Sequence, residues 1–222
     1  MSCGGWPEES AMADRGFNSL PRHLMTLFTG KGDGGTSKFF GEKERITKSS
    51  TRFWTLGNID ELNSLLGYAR GTANHYRLRE VAEMILDAQQ KLFIVQAEIA
   101  AGDHLTIQPL SETATAALEE KINLLEKKIG PITKFSVPGG HPLSGLLDFA
   151  RAVCRRTERS VVEFSEEKFK QEKKLIDDET LAQGINPAVL SYVNRLSSLL
   201  FALARYANKY FKVIEKNPTY EQ

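Results

Sequence analysis

LLDFARAVCRRTERSVVEF (residues 146–164) sorts its side chains into two kinds pointing two ways. Wound at ~100° per residue, Leu146, Leu147, Ala150, Val153, Cys154, Val161 and Phe164 gather mostly on one side. Arg151, Arg155, Glu158 and Arg159 fall within an arc of roughly 100° on the other, with Arg156 at its edge. One face is built for a core, and the other concentrates positive charge.

Working outward, the same periodicity recurs. TKFSVPGGHP (133–142) is a turn-rich connector, and Pro142 suits the first position of the arginine helix. Before it, Leu118, Ile122, Leu125 and Ile129 give a helix from about Glu112 that Gly130-Pro131 ends. Earlier still, Val81, Met84, Ile85, Ala88, Leu92, Val95 and Ile99 share a face. So do Ile59, Leu62, Leu65, Leu66 and Ala69, in a helix read from Asn58.

Beyond the arginines, 165–180 is a charge run, read as a solvated helix end and loop. Asn186-Pro187 supplies a cap and first position for a last helix. Its stripe is Val189, Tyr192, Val193, Leu196, Leu199, Leu200, Leu203 and Ala207. Strand signals are weak throughout, and no internal repeat is visible. Five helices with short connections predict an all-α, five-helix antiparallel bundle.

The composition of the 222-residue chain sets bounds: 41% hydrophobic, 26% charged, net charge +1. These describe an ordinary globular protein with no global field for nucleic acid or an anionic membrane. Any anion site is therefore local. Cys3 and Cys154 form neither a disulfide framework nor a metal cluster and fit a reducing compartment. Residues 1–24 lack periodicity, an apolar signal core and the acid-poor composition of a presequence, and are expected to be a disordered tail. No stretch approaches the roughly 18–20 apolar residues of a membrane span. A cytoplasmic protein is expected.

The arginine face admits a plain account. Asp148 with Arg151, Arg155 with Glu158, and Arg159 with Glu163 are spaced as helix pairs, each worth only about 0.3–0.5 kcal/mol. Against it, Arg151–Arg155 and Arg155–Arg159 are like-charge pairs, and a merely solvated face more often uses lysine, as 168–174 do. The planar guanidinium fork suits bidentate contact with phosphate or carboxylate. On the residues alone, a polyphosphate or intersubunit site and a solvated face stand level.

GKGDGGTS (30–37), inside the glycine-rich loop 28–41, is not a Walker A sequence. It offers unhindered backbone N–H groups, a lysine and two hydroxyls, the parts of an anion nest. Paired with the arginines it suggests a triphosphate held from two sides. His23, His75, His104 and His141 are scattered, and Glu-x-x-His, HExxH and nucleophile-elbow patterns are missing, which disfavours di-iron, zinc-protease and serine-hydrolase chemistry.

FTGKGDGGTS, RITKSS, GNIDELNSLLG, FSVPGG, ARAVCRRTERSVV and VNRLSSLLFALARYAN occur in that order between Leu27 and Lys209. Together they make the chain resemble the PduO-type ATP:cob(I)alamin adenosyltransferases. The resemblance implies a trimer-forming five-helix bundle with active sites between subunits, ATP and cobalamin as substrates, and Mg²⁺. It implies a domain over 25–215 with loop 28–41 at ATP, followed by a tail, 216–222. Thr29, Gly30, Lys31, Gly32, Ser37 and Lys48 would serve ATP from the N-terminal side. Arg155, Arg156, Glu158, Arg159 and Asn194 would hold phosphates, nucleoside and, through Glu158, the metal. Asp60 and Arg151 match an intersubunit acid–arginine pair beside cobalamin, and Phe135 the aromatic residue that displaces cobalamin's lower axial ligand. Arg155, Phe135, Asp60 and Arg151 are thus the expected catalytic set. An adenosylcobalamin-dependent acceptor enzyme and a reductase are the implied partners.

Gly34, Asp148 and Ser198 depart from the family's usual lysine, histidine and aspartate, and one extra residue around Glu42–Arg45 loosens the match at Lys48. These departures are the best support for an alternative, a non-catalytic ATP/cobalamin carrier or sensor; a scaffold whose arginines only join subunits is disfavoured by Phe135, Glu158 and Asn194, which an assembly surface does not need.

Overall fold

A computed structural model of the chain describes residues 28–39, 41–101, 106–175 and 184–220. The expected tail 1–24, with Cys3 and His23, and also His104, lie outside them. Two compact units result, residues 1–34 and 35–222.

In the first unit, the described part of the glycine loop turns on itself. The Asp33 N–H donates to the Gly30 carbonyl (3.2 Å), with Gly30 at φ 68°, and the Lys31 N–H donates to Thr29 Oγ1 (3.4 Å).

The second unit begins with a short antiparallel ribbon, β1 (Thr36–Ser37) and β2 (Ile46–Thr47), that the sequence reading leaves as loop. Arg45 clamps it, donating from Nε to Thr36 Oγ1 (3.0 Å) and from Nη2 to the Thr36 carbonyl (2.6 Å). Five helices follow: α1 (Thr51–His75), α2 (Arg79–Ala101), α3 (Glu112–Ile129), α4 (Pro142–Leu175) and α5 (Pro187–Tyr210). The punctuation acts as read. Gly130 ends α3 at φ 85°, Pro142 opens α4, and the Asn186 side chain accepts the Ala188 N–H with Pro187 inside the first turn of α5.

α1 starts seven residues before Asn58, because Ser50 caps it by accepting the Phe53 N–H (3.4 Å). Its first turns carry no apolar stripe: Trp54 is exposed and the buried group is Thr55.

The core is one cluster shared by all five helices, with Ile59, Leu62, Leu66, Leu92, Leu118, Leu125, Leu147, Leu196 and Leu199 fully buried. α5 is so apolar that by length and composition it meets the requirement for a membrane span, against the sequence expectation, but its stripe is buried by its neighbours.

Polar bonds fix how α4 sits. Thr157 Oγ1 donates to the Asn58 carbonyl (3.1 Å), and Thr55 Oγ1 bonds the Ser160 carbonyl (3.0 Å), so α1 and α4 run antiparallel. On its other flank, Cys154 Sγ donates to the Val193 carbonyl (3.4 Å), and the pairs Asp148–Arg205 and Glu158–Asn194 show α5 antiparallel to α4. Burial drives the Cys154 thiol pKa up to about 12, helped by Glu158 and opposed by Arg155. That thiol is structural and inert.

Candidate anion and cofactor site

With Val153, Cys154, Thr157 and Val161 held inward, the intervening positions of α4 must face out. Arg155, Arg156 and Arg159 are exposed, and Arg151 and Glu158 are half-buried. None of the three short-range pairs expected along α4 forms. Arg156 pairs instead with Glu61 of α1, and Asp148 turns inward to Arg205 of α5 (2.5 Å).

Glu158 Oε1 accepts from Asn194 Nδ2 of α5 (2.6 Å), an interhelical bond that fixes the one carboxylate amid the arginines. Arg155 and Arg159 make no hydrogen bond or ion pair among the described residues. Among the described residues these cations have no counter-ion.

Arg151 and Arg155 also line a groove of about 270 Å³ between α3, α4 and α5, with Ile122, Ile129, Ser197, Ser198 and Phe201. Arg151 Nε is buried there with no hydrogen-bond partner. A larger cavity of about 500 Å³ lies further along the bundle, bordered by Thr51, Arg52, Glu98, Ile99, Glu167 and Val189. None of the α4 arginines reaches it, so the chemistry favours the smaller groove.

The remaining expected residues divide. Asp60 is exposed on α1 and is not paired with Arg151 within the chain. Ser37 lies on β1 opposite Ile46, and the Lys48 N–H donates to the Gly35 carbonyl (2.9 Å), which brings both onto one ribbon. Thr29, Gly30, Lys31 and Gly32 belong to the first unit. Phe135 projects from the α3–α4 connector, 83% exposed. Ile132 and Val137 of the same connector are exposed as well.

No group of three or more potential metal ligands occurs among the described residues. Glu158 alone suits Mg²⁺, which is commonly bound by one or two carboxylates plus the phosphates it accompanies. Sequence reading missed Glu61, whose α1 position gives no hint of Arg156. It also missed the Arg205–Asp148–Glu215 cluster, because each member is unremarkable in its own helix or tail.

A helical bundle whose α4 guanidinium groups surround one tethered carboxylate, with Arg155 and Arg159 unpaired among the described residues, is equipped for an anionic ligand. Comparison with known proteins narrows the class. The chain belongs to the cobalamin adenosyltransferase family, whose model matches residues 27–207.

It is 31% identical over 185 residues to the corrinoid adenosyltransferase of Bacillus subtilis, covering 83% of this chain and 87% of that protein. To the corrinoid adenosyltransferase MMAB of Homo sapiens it is 32% identical over 197 residues, covering 86% and 71%. It spans about half the length of the corrinoid adenosyltransferase PduO of Citrobacter freundii, at 32% identity over 187 residues (82% of this chain, 49% of that one). Among solved structures it is similar to a variant PduO-type ATP:corrinoid adenosyltransferase from Lactobacillus reuteri complexed with cobalamin and ATP. That likeness has a TM-score of 0.75 and 28% identity, over 89% of this chain and 98% of that one.

Proposed function

We propose that the chain transfers the 5′-deoxyadenosyl group of ATP to the cobalt of cob(I)alamin, giving adenosylcobalamin and triphosphate. The observation that carries this reading is the α4 face: Arg155 and Arg159 unpaired among the described residues, with Glu158 tethered between them by Asn194. Cob(I)alamin supplies the electron pair that forms the Co–C5′ bond as C5′–O breaks. The protein therefore needs no activated Ser or Cys. Its tasks are to hold C5′ in line with cobalt and to stabilise the charge that gathers on the departing triphosphate.

Arg155, Arg156 and Arg159 take that charge, with Arg156 exchanging Glu61 for phosphate. Glu158 would hold the accompanying Mg²⁺ or orient its neighbours, and Asn194 fixes Glu158 and would meet the nucleoside. Thr29, Gly30, Lys31, Gly32, Ser37 and Lys48 complete the ATP site. Asp60 pairs with Arg151 of a neighbouring subunit beside cobalamin, and Phe135 displaces the lower axial ligand. We take residues 25–215 as the catalytic domain, a homotrimer as the working form and the cytoplasm as its setting. A reductase would supply the substrate, and an adenosylcobalamin-dependent enzyme would accept the product.

The test is to incubate the protein with ATP, Mg²⁺ and chemically reduced cobalamin and follow the cob(I)alamin absorbance. Conversion to adenosylcobalamin is expected. Tight binding without conversion would instead identify a carrier, and neither would identify a scaffold.

A further inference from the structure

Phe135 sits on a connector between helices, where a side chain is ordinarily free to wander. The connector here is tied down residue by residue, and the ties come from the chain's C-terminal end.

α5 stops at Tyr210, and Lys212 adopts φ 56°, letting the Val213 N–H donate back to the Asn208 carbonyl (2.9 Å). That turn sends residues 213–217 back along the connector. The Val137 N–H donates to the Lys216 carbonyl (2.7 Å), and Asn217 Nδ2 donates to the carbonyl of Phe135 itself (2.8 Å). Ser136 Oγ donates to Glu215 Oε2 (2.6 Å). Three successive connector residues are thus held by three successive residues of the strap.

The strap is in turn anchored to the bundle. Glu215 Oε1 accepts from Asn208 Nδ2 (2.8 Å) and pairs with Arg205 Nη1 (3.0 Å). Arg205 is 3% exposed and is neutralised on its other side by Asp148, whose Oδ2 also accepts the Gly139 N–H (2.9 Å). Asn208 also donates to the Gly139 carbonyl (2.8 Å), and its Oδ1 accepts the His141 N–H (2.9 Å). Gly140 stands at φ 106°, and a Cβ there would lie 2.6 Å from Asn208 Oδ1, so only glycine fits. So many directional bonds on an exposed connector exceed what linking α3 to α4 requires.

We infer that the 213–217 strap is a positioning device for Phe135, with Glu215 and Asn217 as its positioning residues. This rests on the proposed role of Phe135 at the lower face of cobalamin. A wedge displaces an axial base only if its own backbone does not yield, and the strap supplies that stiffness. Neither residue touches a substrate in this assignment. Each acts through Phe135.

The test uses the full chain with cob(II)alamin and ATP, reading the base-off fraction by electron paramagnetic resonance. Nitrogen hyperfine splitting from the lower base disappears when that base leaves cobalt. Asn217→Ala removes one exposed bond, and Glu215→Ala removes the Ser136 tie. Both should lower the base-off fraction and raise KM for cobalamin several-fold, with KM for ATP unchanged. Ser136→Ala and Glu215→Ala should be less than additive when combined.

Asn217→Ala keeps the test decisive even if Glu215→Ala unfolds the chain. An unchanged base-off fraction in Asn217→Ala overturns the inference, as does a loss matched by equal losses in ATP affinity and melting temperature. Phe135→Ala separates the two levels. If it leaves the base-off fraction intact, the reading of Phe135 fails. If it lowers the fraction while the strap variants do not, only the strap's role fails.

Discussion

Arg155 and Arg156 are adjacent on α4 and differ in what they face. Arg156 spends its charge on Glu61, and a pair this exposed contributes at most about 1 kcal/mol. Arg155 has no such partner among the described residues and borders the groove with Arg151. Arg155→Ala should therefore lower adenosyl transfer by roughly 10²-fold or more while leaving the fold intact, the loss expected when one preorganised donor to developing charge is removed. Near-wild-type turnover with reduced cobalamin would count against the proposed role. Asp148, one of the family departures, has the opposite character. It is buried and makes the inner ion pair with Arg205. Asp148→Ala should cost about 3 kcal/mol in urea unfolding, the low end for breaking a buried pair because Glu215 still faces Arg205. Gly34 is exposed with open space around it, and Ser198 lines the groove beside the arginines. Ser198 thus shares its groove with Arg151 and Arg155, whereas Asp148 turns away to Arg205.

At the scale of elements, the helices that bury an apolar stripe were legible in residue spacing, and so were the Gly130, Pro142 and Asn186-Pro187 boundaries. What escaped was held by other means. The start of α1 depends on a single serine cap and a buried Thr55, neither of which alters hydrophobic period. The β1–β2 ribbon is two residues wide. The strap 213–217 bonds largely through carbonyls and through polar side chains that look like any tail, and two of its residues fall in the expected tail 216–222. The arginine cluster was legible because it is sequential; Asn194 was reached only through the family resemblance, and Glu61, distant in sequence and adjacent only after folding, not at all. One junction of elements also yields a pH prediction. His141 precedes α4, stacks on Phe211 (3.8 Å between centroids, 10°) and meets the edge of Tyr76 (4.4 Å). Its Nδ1 accepts the Leu143 N–H (3.2 Å), which only an unprotonated nitrogen can do. Burial lowers its pKa from the usual 6.5. A folded-state pKa below the unfolded one gives stability that is full above about pH 6.5 and is lost as pH falls through the folded value. The melting temperature of wild type should exceed that of His141→Ala at about pH 7.5 and converge on it by about pH 5. A gap constant over that range would exclude the linkage.

At the scale of the molecule, several large apolar side chains stay on the surface of one chain. Trp54 and Tyr68 of α1 are 64% and 69% exposed, and Phe149 of α4 is 58% exposed. A monomer gains nothing by leaving these rings in water, and an interface would bury them. Asp60 is exposed on α1 and Arg155 on α4. If subunits meet through these helices, an α1 acid of one chain faces an α4 arginine of the next, and each site draws Asp60 and Arg155 from different chains. The consequence is complementation. Asp60→Ala and Arg155→Ala chains, each inactive by itself, would rebuild intact sites when co-assembled, since one supplies the arginine and the other the acid. For random mixing at equal amounts about one quarter of interfaces in a cyclic trimer would carry both wild-type residues, so turnover should recover to roughly a quarter of wild type. Co-refolding the two variants, checking trimers by sedimentation and assaying transfer from ATP to reduced cobalamin would read this directly. If both residues of a site came from the same chain, mixing would restore nothing.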